Sequence, residues 1–310
     1  MEPAYLASQR DGTLARRINQ AVDALATCTL CPRMCSVNRS AGQTGFCGIG
    51  RQAVVASYGP HHGEEAVLSG RYGSGTIFFS GCNLRCVFCQ NHDISHGDEG
   101  ETVTPQRLAA IMLELQQAQC HNINLVTPSH VIPQILEALP HAIDGGLHLP
   151  LVFNTSAYDR VETLQLLDGI VDIYLPDFKF GTDIPALYYC KAPDYPQVAR
   201  SAIREMHQQV GDLQISAHNR AIRGLLVRHL VMPEGAGGTP EVMRFLARDI
   251  SSQTYVNIMN QYHPCGNLDK TPELRRGITP EEYDEAVACA REAGLSRFDI
   301  KERPILLGWR

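Results

Sequence analysis

The sequence predicts an α/β protein, an open or partial parallel barrel preceded by a small cysteine-rich module. Two observations predict the barrel. From about residue 75 onward, short apolar, β-branched runs alternate with helix-period patterns. Several of those runs are continuously apolar, as expected of a sheet that helices cover. A third observation predicts the module: seven of the eleven cysteines fall before residue 90, and four of them (Cys28, Cys31, Cys35 and Cys47) cluster within twenty residues ahead of the barrel, the other three being Cys82, Cys86 and Cys89.

A chain of 310 residues suffices for one large α/β domain with an appendage. With 44% hydrophobic and 19% charged residues it can bury a sizeable core. A net charge of -6 argues against gripping nucleic acid through a basic face. The apolar runs are too short to span a bilayer, so no membrane association is expected. The N-terminus lacks the basic-then-apolar layout of a secretion signal, and a cytoplasmic location is the expectation. Eleven cysteines in a reducing compartment read as thiols, whose clustering points to metal or redox chemistry.

Taken in order, residues 12–27 place Leu14, Ile18, Val22 and Leu25 on one helical stripe. The stretch "CTLCPRMCSVNRSAGQTGFCGIG" has no sustained periodicity and reads as a loop-built, metal-stapled module. Residues 51–75 give one short strand and then turns, and "GPHHGEE" (59–65) reads as a loop near the barrel mouth. Strands are expected at 76–80, 122–127, 149–155, 170–176, 225–232 and 254–259. Between them, Thr104 and Pro105 start a helix that buries Leu108, Ile111, Met112 and Leu115. Thr279, Pro280 and Glu282 form a capped helix start. Six strands are too few for a closed eight-stranded barrel. The expected division is 1–74 for the helix and cysteine module and 75–310 for the barrel.

In such sheets chemistry gathers at the C-terminal ends of the strands. The loop "GCNLRCVFCQN" (81–91) directly follows the first expected parallel strand and carries Cys82, Cys86 and Cys89 at C-x3-C-x2-C spacing. Three thiolates on one tight loop satisfy three irons of a compact cube and leave the fourth open to a small molecule. A zinc site completed by His92 or His96, or three incidental buried cysteines, are the plainer alternatives. A non-catalytic zinc-binding interaction protein is therefore the competing functional class. A thiol oxidoreductase built on "CVFC" fits worse, because the chain is long and the loop has an extra cysteine. Upstream, Cys28, Cys31, Cys35 and Cys47 are spaced to close either a tetrahedral zinc site or a second iron–sulfur cluster. Cys120, Cys190, Cys265 and Cys289 read as small buried residues.

The loop 81–91, with Phe88 before its last cysteine, resembles the cluster loop of radical S-adenosylmethionine (SAM) enzymes. Residues 25–300 resemble the branch related to pyruvate formate-lyase activating enzyme, most of all an uncharacterised subgroup that also carries the upstream "CTLCPRMC…GFCG". That resemblance implies a partial (β/α)6 barrel, a [4Fe-4S] cluster on Cys82, Cys86 and Cys89, and SAM on its unique iron. It implies reductive cleavage of SAM to a 5′-deoxyadenosyl radical, which takes hydrogen from a protein or small-molecule substrate, a glycyl-radical enzyme among them. The implied partner is an electron donor such as flavodoxin or ferredoxin. By position, the resemblance assigns SAM contacts to Asn154, Thr155, Asp177, Lys179 and Arg228, with His263 at the active site. Asn154 stands where the activases carry an acid, and "VTPSHV" (126–131) stands where they carry Gly-Gly-Glu.

Overall fold

The computed structural model describes residues 2–97 and 99–299; the end of the expected barrel domain, from 300 to 310, lies outside the described residues. Two helices open the chain, α1 (Ala4–Arg10) and α2 (Thr13–Asp23). Then come β1 (Ala53–His61), α3 (Ala66–Ser69), β2 (Ser74–Phe79), α4 (His92–His96), β3 (Glu101–Val103) and α5 (Pro105–Gln117). The middle of the chain holds β4 (Ile123–Val126), α6 (Ile132–Asp144), β5 (Leu151–Thr155), α7 (Val161–Leu164) and β6 (Ile173–Pro176). After α8 (Asp183–Cys190) and α9 (Tyr195–Val210) come β7 (Gln214–Ile215) and β8 (Ala221–Leu230). The last elements are α10 (Thr239–Phe245), β9 (Tyr255–Met259), α11 (Pro280–Glu292) and β10 (Arg297–Phe298).

The sheet runs β10-β9-β8-β6-β5-β4-β2-β1-β3, with the pairs from β2 to β10 all parallel. Six of those strands, β2, β4, β5, β6, β8 and β9, are the six expected from sequence. At the other edge β1 pairs antiparallel with β2 and β3. It is longer than the sequence suggested, because "SYGPH" continues the strand through His61 opposite Ser74. The expected caps form: the Thr104 hydroxyl accepts from the Arg107 amide, and Thr279 with Glu282 makes a capping box.

The sheet is buried on both faces, which is why its strands read as continuous apolar runs. On the helix side, Leu125, Phe153, Tyr174 and Val227 join the main core. On the inner side, Val152, Ile173, Leu175 and Leu226 pack against Val67 and Leu68 of α3. The short segment after β1 therefore plugs the inside of the barrel; of "GPHHGEE", residues 59–61 end β1, His61 and His62 stay exposed, and only Glu64 and Glu65 turn inward, Glu64 meeting Arg228 at the strand ends. Two rows cross the inner face in register, Thr76–Asn124–Val152–Ile173 and Phe78–Val126–Asn154–Leu175.

Beside the site, His229 on β8 is fully buried. Its Nδ1–H donates to the Phe178 carbonyl at 2.7 Å, and its Nε2 accepts from the Thr239 hydroxyl at 2.9 Å. Burial, opposed by the Phe178 hydrogen bond, pulls its pKa down to about 4. A folded value depressed below the unfolded one means the ring stabilises the fold fully above pH ~6.5, and loses that contribution as pH falls toward its folded value. His229→Gln should flatten the pH dependence of unfolding free energy in that window by an amount on the order of 3 kcal/mol. An unchanged slope in denaturant titrations would contradict this assignment.

Candidate cluster site

The loop leaving β2 holds Cys82, Cys86 and Cys89, all largely buried. Gly81 opens it at φ +76°, and a Cβ there would stand 2.4 Å from the carbonyl oxygen of Cys47. Only glycine lets the loop lie this close to the upstream module. Donors already face the sulfurs: the Leu84 amide meets Cys82 Sγ at 3.3 Å, and the Ser95 hydroxyl meets Cys89 Sγ at 3.3 Å. Phe88 sits under the loop, its ring edge-on to Phe180 and Tyr189.

Burial pushes the Cys82 thiol up to about 12 and raises Cys89, while the neighbouring Cys86 adds to both. Cys86 is raised first by its hydrogen bond with Cys190, whose Sγ lies 3.3 Å away, and then by burial. Lys179 opposes the rise at Cys86 and Cys89. Buried thiols with amide, hydroxyl and ammonium groups aimed at them suit a bound cationic cluster, whose binding would displace their protons. The residues present fit an iron–sulfur group on three thiolates.

Next to this loop lies a half-buried ion network on the strand ends. Asp177, just past β6, is bridged to Arg228 of β8, whose Nε donates to Asp177 Oδ1 at 2.5 Å. Lys179 Nζ donates to Asp177 Oδ2 at 2.7 Å. Burial alone would raise Asp177, but the guanidinium and the ammonium hold its carboxyl below the ordinary value. Arg228 also donates to Asn154 Oδ1 at 2.6 Å and to Glu64 Oε2 at 3.2 Å. Thr155 donates instead to Asp159, a buried acid whose pKa burial lifts to about 6, and stands 3.0 Å from Ser129.

Of the residues singled out in sequence, Asn154, Asp177, Lys179 and Arg228 form one cluster, and Thr155 opens an adjoining one. His263 lies apart, exposed, with its ring 3.4 Å from Gln90 just after Cys89. Sequence reading missed Glu64 and Glu65. Glu64 is pushed up to about 7 by burial, against the pull of Arg228, and Glu65 accepts from Asn257 of β9 at 2.7 Å. The available signals were Asn124 and Asn257, lone amides inside otherwise apolar strands. Cys190 is buried as expected, although its contact with Cys86 was not foreseen, while Cys265 and Cys289, read as buried, are half-buried.

Upstream, Cys28, Cys31, Cys35 and Cys47 line one cavity together with Arg39 and His130. Arg39 is buried and donates to the carbonyls of Gly50 and His130. The Phe46 amide donates to Cys35 Sγ at 3.3 Å. Among the described residues no three metal-ligating side chains are drawn into a finished coordination shell, in either cysteine group. All eleven cysteines are free thiols.

A family model described as a 4Fe-4S single cluster domain matches residues 69–140, which include the loop. The uncharacterized protein MJ0674 of Methanocaldococcus jannaschii is 31% identical over 289 residues, covering 90% of this chain and 78% of that protein. The chain belongs to the MJ0674 family. Among solved structures, a radical SAM methyltransferase from Sphaerobacter thermophilus aligns at TM-score 0.51 and 16% identity. That alignment covers 72% of this chain and 66% of the methyltransferase, so the chain spans just under two thirds of its length. A structure of native anSMEcpe with bound AdoMet aligns at TM-score 0.45 and 10% identity, covering 71% of this chain and 61% of that one. This member of the MJ0674 family thus has the α/β fold of a radical SAM enzyme. Among its described residues no helix is long and apolar enough to cross a membrane.

Proposed function

We propose that this chain is a radical SAM iron–sulfur enzyme that binds a [4Fe-4S] cluster on Cys82, Cys86 and Cys89. The observation that carries the reading is the meeting of three thiols, Cys82 and Cys86 buried and Cys89 half-buried, on the loop after the first parallel strand, with Asp177, Lys179 and Arg228 on the ends of later strands. The bound cluster would supply the electron that cleaves SAM to methionine and a 5′-deoxyadenosyl radical. The chain's own residues bind and orient. Lys179 is a compact cation suited to a carboxylate, Asp177 accepts from an ammonium, and Arg228 offers a fork of donors to hydroxyls. Asn154 extends that polar wall and Thr155 adjoins it, Phe88 backs the cysteine loop with an apolar ring, and His263, exposed beside Gln90, is the remaining candidate for the substrate side. The matched 4Fe-4S family model and the shared fold support this reading.

The buried grouping of Cys28, Cys31, Cys35 and Cys47 supports a second, structural metal site, of zinc or iron–sulfur type. Hydrogen abstraction from a glycyl-radical enzyme is one form of the reaction. Arg228 already engages Glu64, and no carboxylate stands at 126–131, so the polar wall differs here from that of the activases.

The test is anaerobic reconstitution with iron and sulfide, followed by SAM and dithionite. The expected result is a brown protein that forms methionine and 5′-deoxyadenosine in equal amounts. A colourless protein holding zinc alone would replace this reading with that of a zinc-binding interaction protein.

A further inference from the structure

The outer face of α8 exposes Ile184 (69%), Leu187 (47%) and Tyr188 (70%), which are three of the six large exposed hydrophobics among the described residues. Spaced i, i+3 and i+4, they form one apolar stripe on an otherwise packed helix. The inner face of the same helix touches the three-cysteine loop. The Val87 amide donates to the Tyr189 carbonyl at 2.9 Å, and the Tyr189 ring meets Phe88 edge-on. Cys190 Sγ stands 3.3 Å from Cys86 Sγ. From exposed Tyr188, two peptide steps and one sulfur–sulfur contact reach a cluster thiol.

Cations rim the C-terminal end of this stripe. Arg33 bridges the loop and the helix, donating to the carbonyls of Asn83, Cys190 and Lys191. Lys191 is exposed. Arg85 shares the Phe46 ring with Arg33. Met34, 52% exposed, follows Arg33 and extends the apolar surface. The one acid on α8, Asp183, lies at its far end and accepts from Gln197.

We propose that this face is the docking surface for an acidic one-electron carrier protein. The inference rests on the cluster reading above. An apolar centre with a basic edge fits a carrier whose redox group emerges through an apolar patch ringed by carboxylates. In the step itself the carrier loses one electron and the cluster gains it; no atom is transferred. Cys190 and the Tyr189 backbone put the carrier's contact within a few bonds of Cys86.

The test compares two reductants on the reconstituted protein. Chemically reduced flavodoxin and dithionite are each mixed anaerobically with the parent, with Leu187→Glu/Tyr188→Glu and with Lys191→Glu, and bleaching of the cluster is followed. All three positions are exposed, so the variants should fold as the parent does. The double variant should slow reduction by flavodoxin at least ~10-fold, and Lys191→Glu by roughly 3-fold with a weaker dependence on salt. Reduction by dithionite should stay the same in all three. Flavodoxin rates that match the parent's would overturn the proposal and give the stripe to another occupant, such as a substrate protein or a second copy of the chain. Equal slowing with both reductants would overturn it too, since the substitutions would then act on the cluster itself. A parent protein that dithionite cannot bleach would sink the functional reading, and this proposal with it.

Discussion

Cys86→Ala should give a folded chain that, after anaerobic reconstitution, lacks the iron, sulfide and visible absorption that the loop's cluster contributes. Cys86 is the middle thiol of the loop, buried between Cys82, Cys89 and Cys190. With two thiolates left on the loop, a cube loses its hold on two irons instead of one. Loss of 5′-deoxyadenosine formation should reach at least about 10⁴-fold, the scale on which removing one member of a concerted catalytic unit acts. Cys289→Ala is the control, because its half-buried thiol on α11 belongs to neither cysteine group. It should retain iron, sulfide and activity. Iron and sulfide analysis with the visible spectrum reads the first effect, and product chromatography the second. A Cys86→Ala protein with full iron content would remove the loop from the proposed site.

Arg228→Met should be the most damaging single change to the fold among the site residues. Arg228 is the cation shared by Asp177, Asn154 and Glu64; Asn154 is buried and the two carboxylates are largely covered. Methionine fills much of its volume but leaves Asp177 with Lys179 alone and takes from Glu64 the cation it pairs with. Breaking a buried pair from one side costs about 3–5 kcal/mol, because the stranded charge stays behind. Adding Glu64→Gln should return about 1–2 kcal/mol of that loss, since the stranded acid is then neutral. Anaerobic denaturant unfolding of the single and double variants makes the comparison. If the double variant is no more stable than Arg228→Met alone, Glu64 is not part of the network.

The parallel strands and the cluster loop were legible because each is written locally. An apolar, β-branched run names its own strand, and C-x3-C-x2-C names its own loop. Asp177 and Arg228 lie 51 residues apart; the resemblance assigned both to one site, but it took the β6–β8 register to show that they pair with each other. The same holds for Cys190, which joins Cys86 across 104 residues and looked like any small core residue. Glu64 and Glu65 were the hardest to place. A Gly-Glu-Glu run after a strand ordinarily marks a solvated turn, and only the plug formed by Val67 and Leu68 carries these acids inside. Asn124 and Asn257 could have given the warning, since an amide amid an apolar strand requires a polar partner.

The contact between Gly81 and the Cys47 carbonyl also bears on how the molecule is made. The upstream cysteines leave the ribosome before the loop does, and chains tend to fold from the N-terminus forward. The loop after β2 settles against a wall that Cys47 supplies, with no room there for even one extra carbon. Biogenesis thus acquires an order: the first thiol knuckle is shaped, the barrel strand arrives beside it, and the loop closes last. On the proposal that the upstream thiols hold a metal, a cell short of that metal would yield chains defective in the loop's centre as well, although no ligand of that centre had changed.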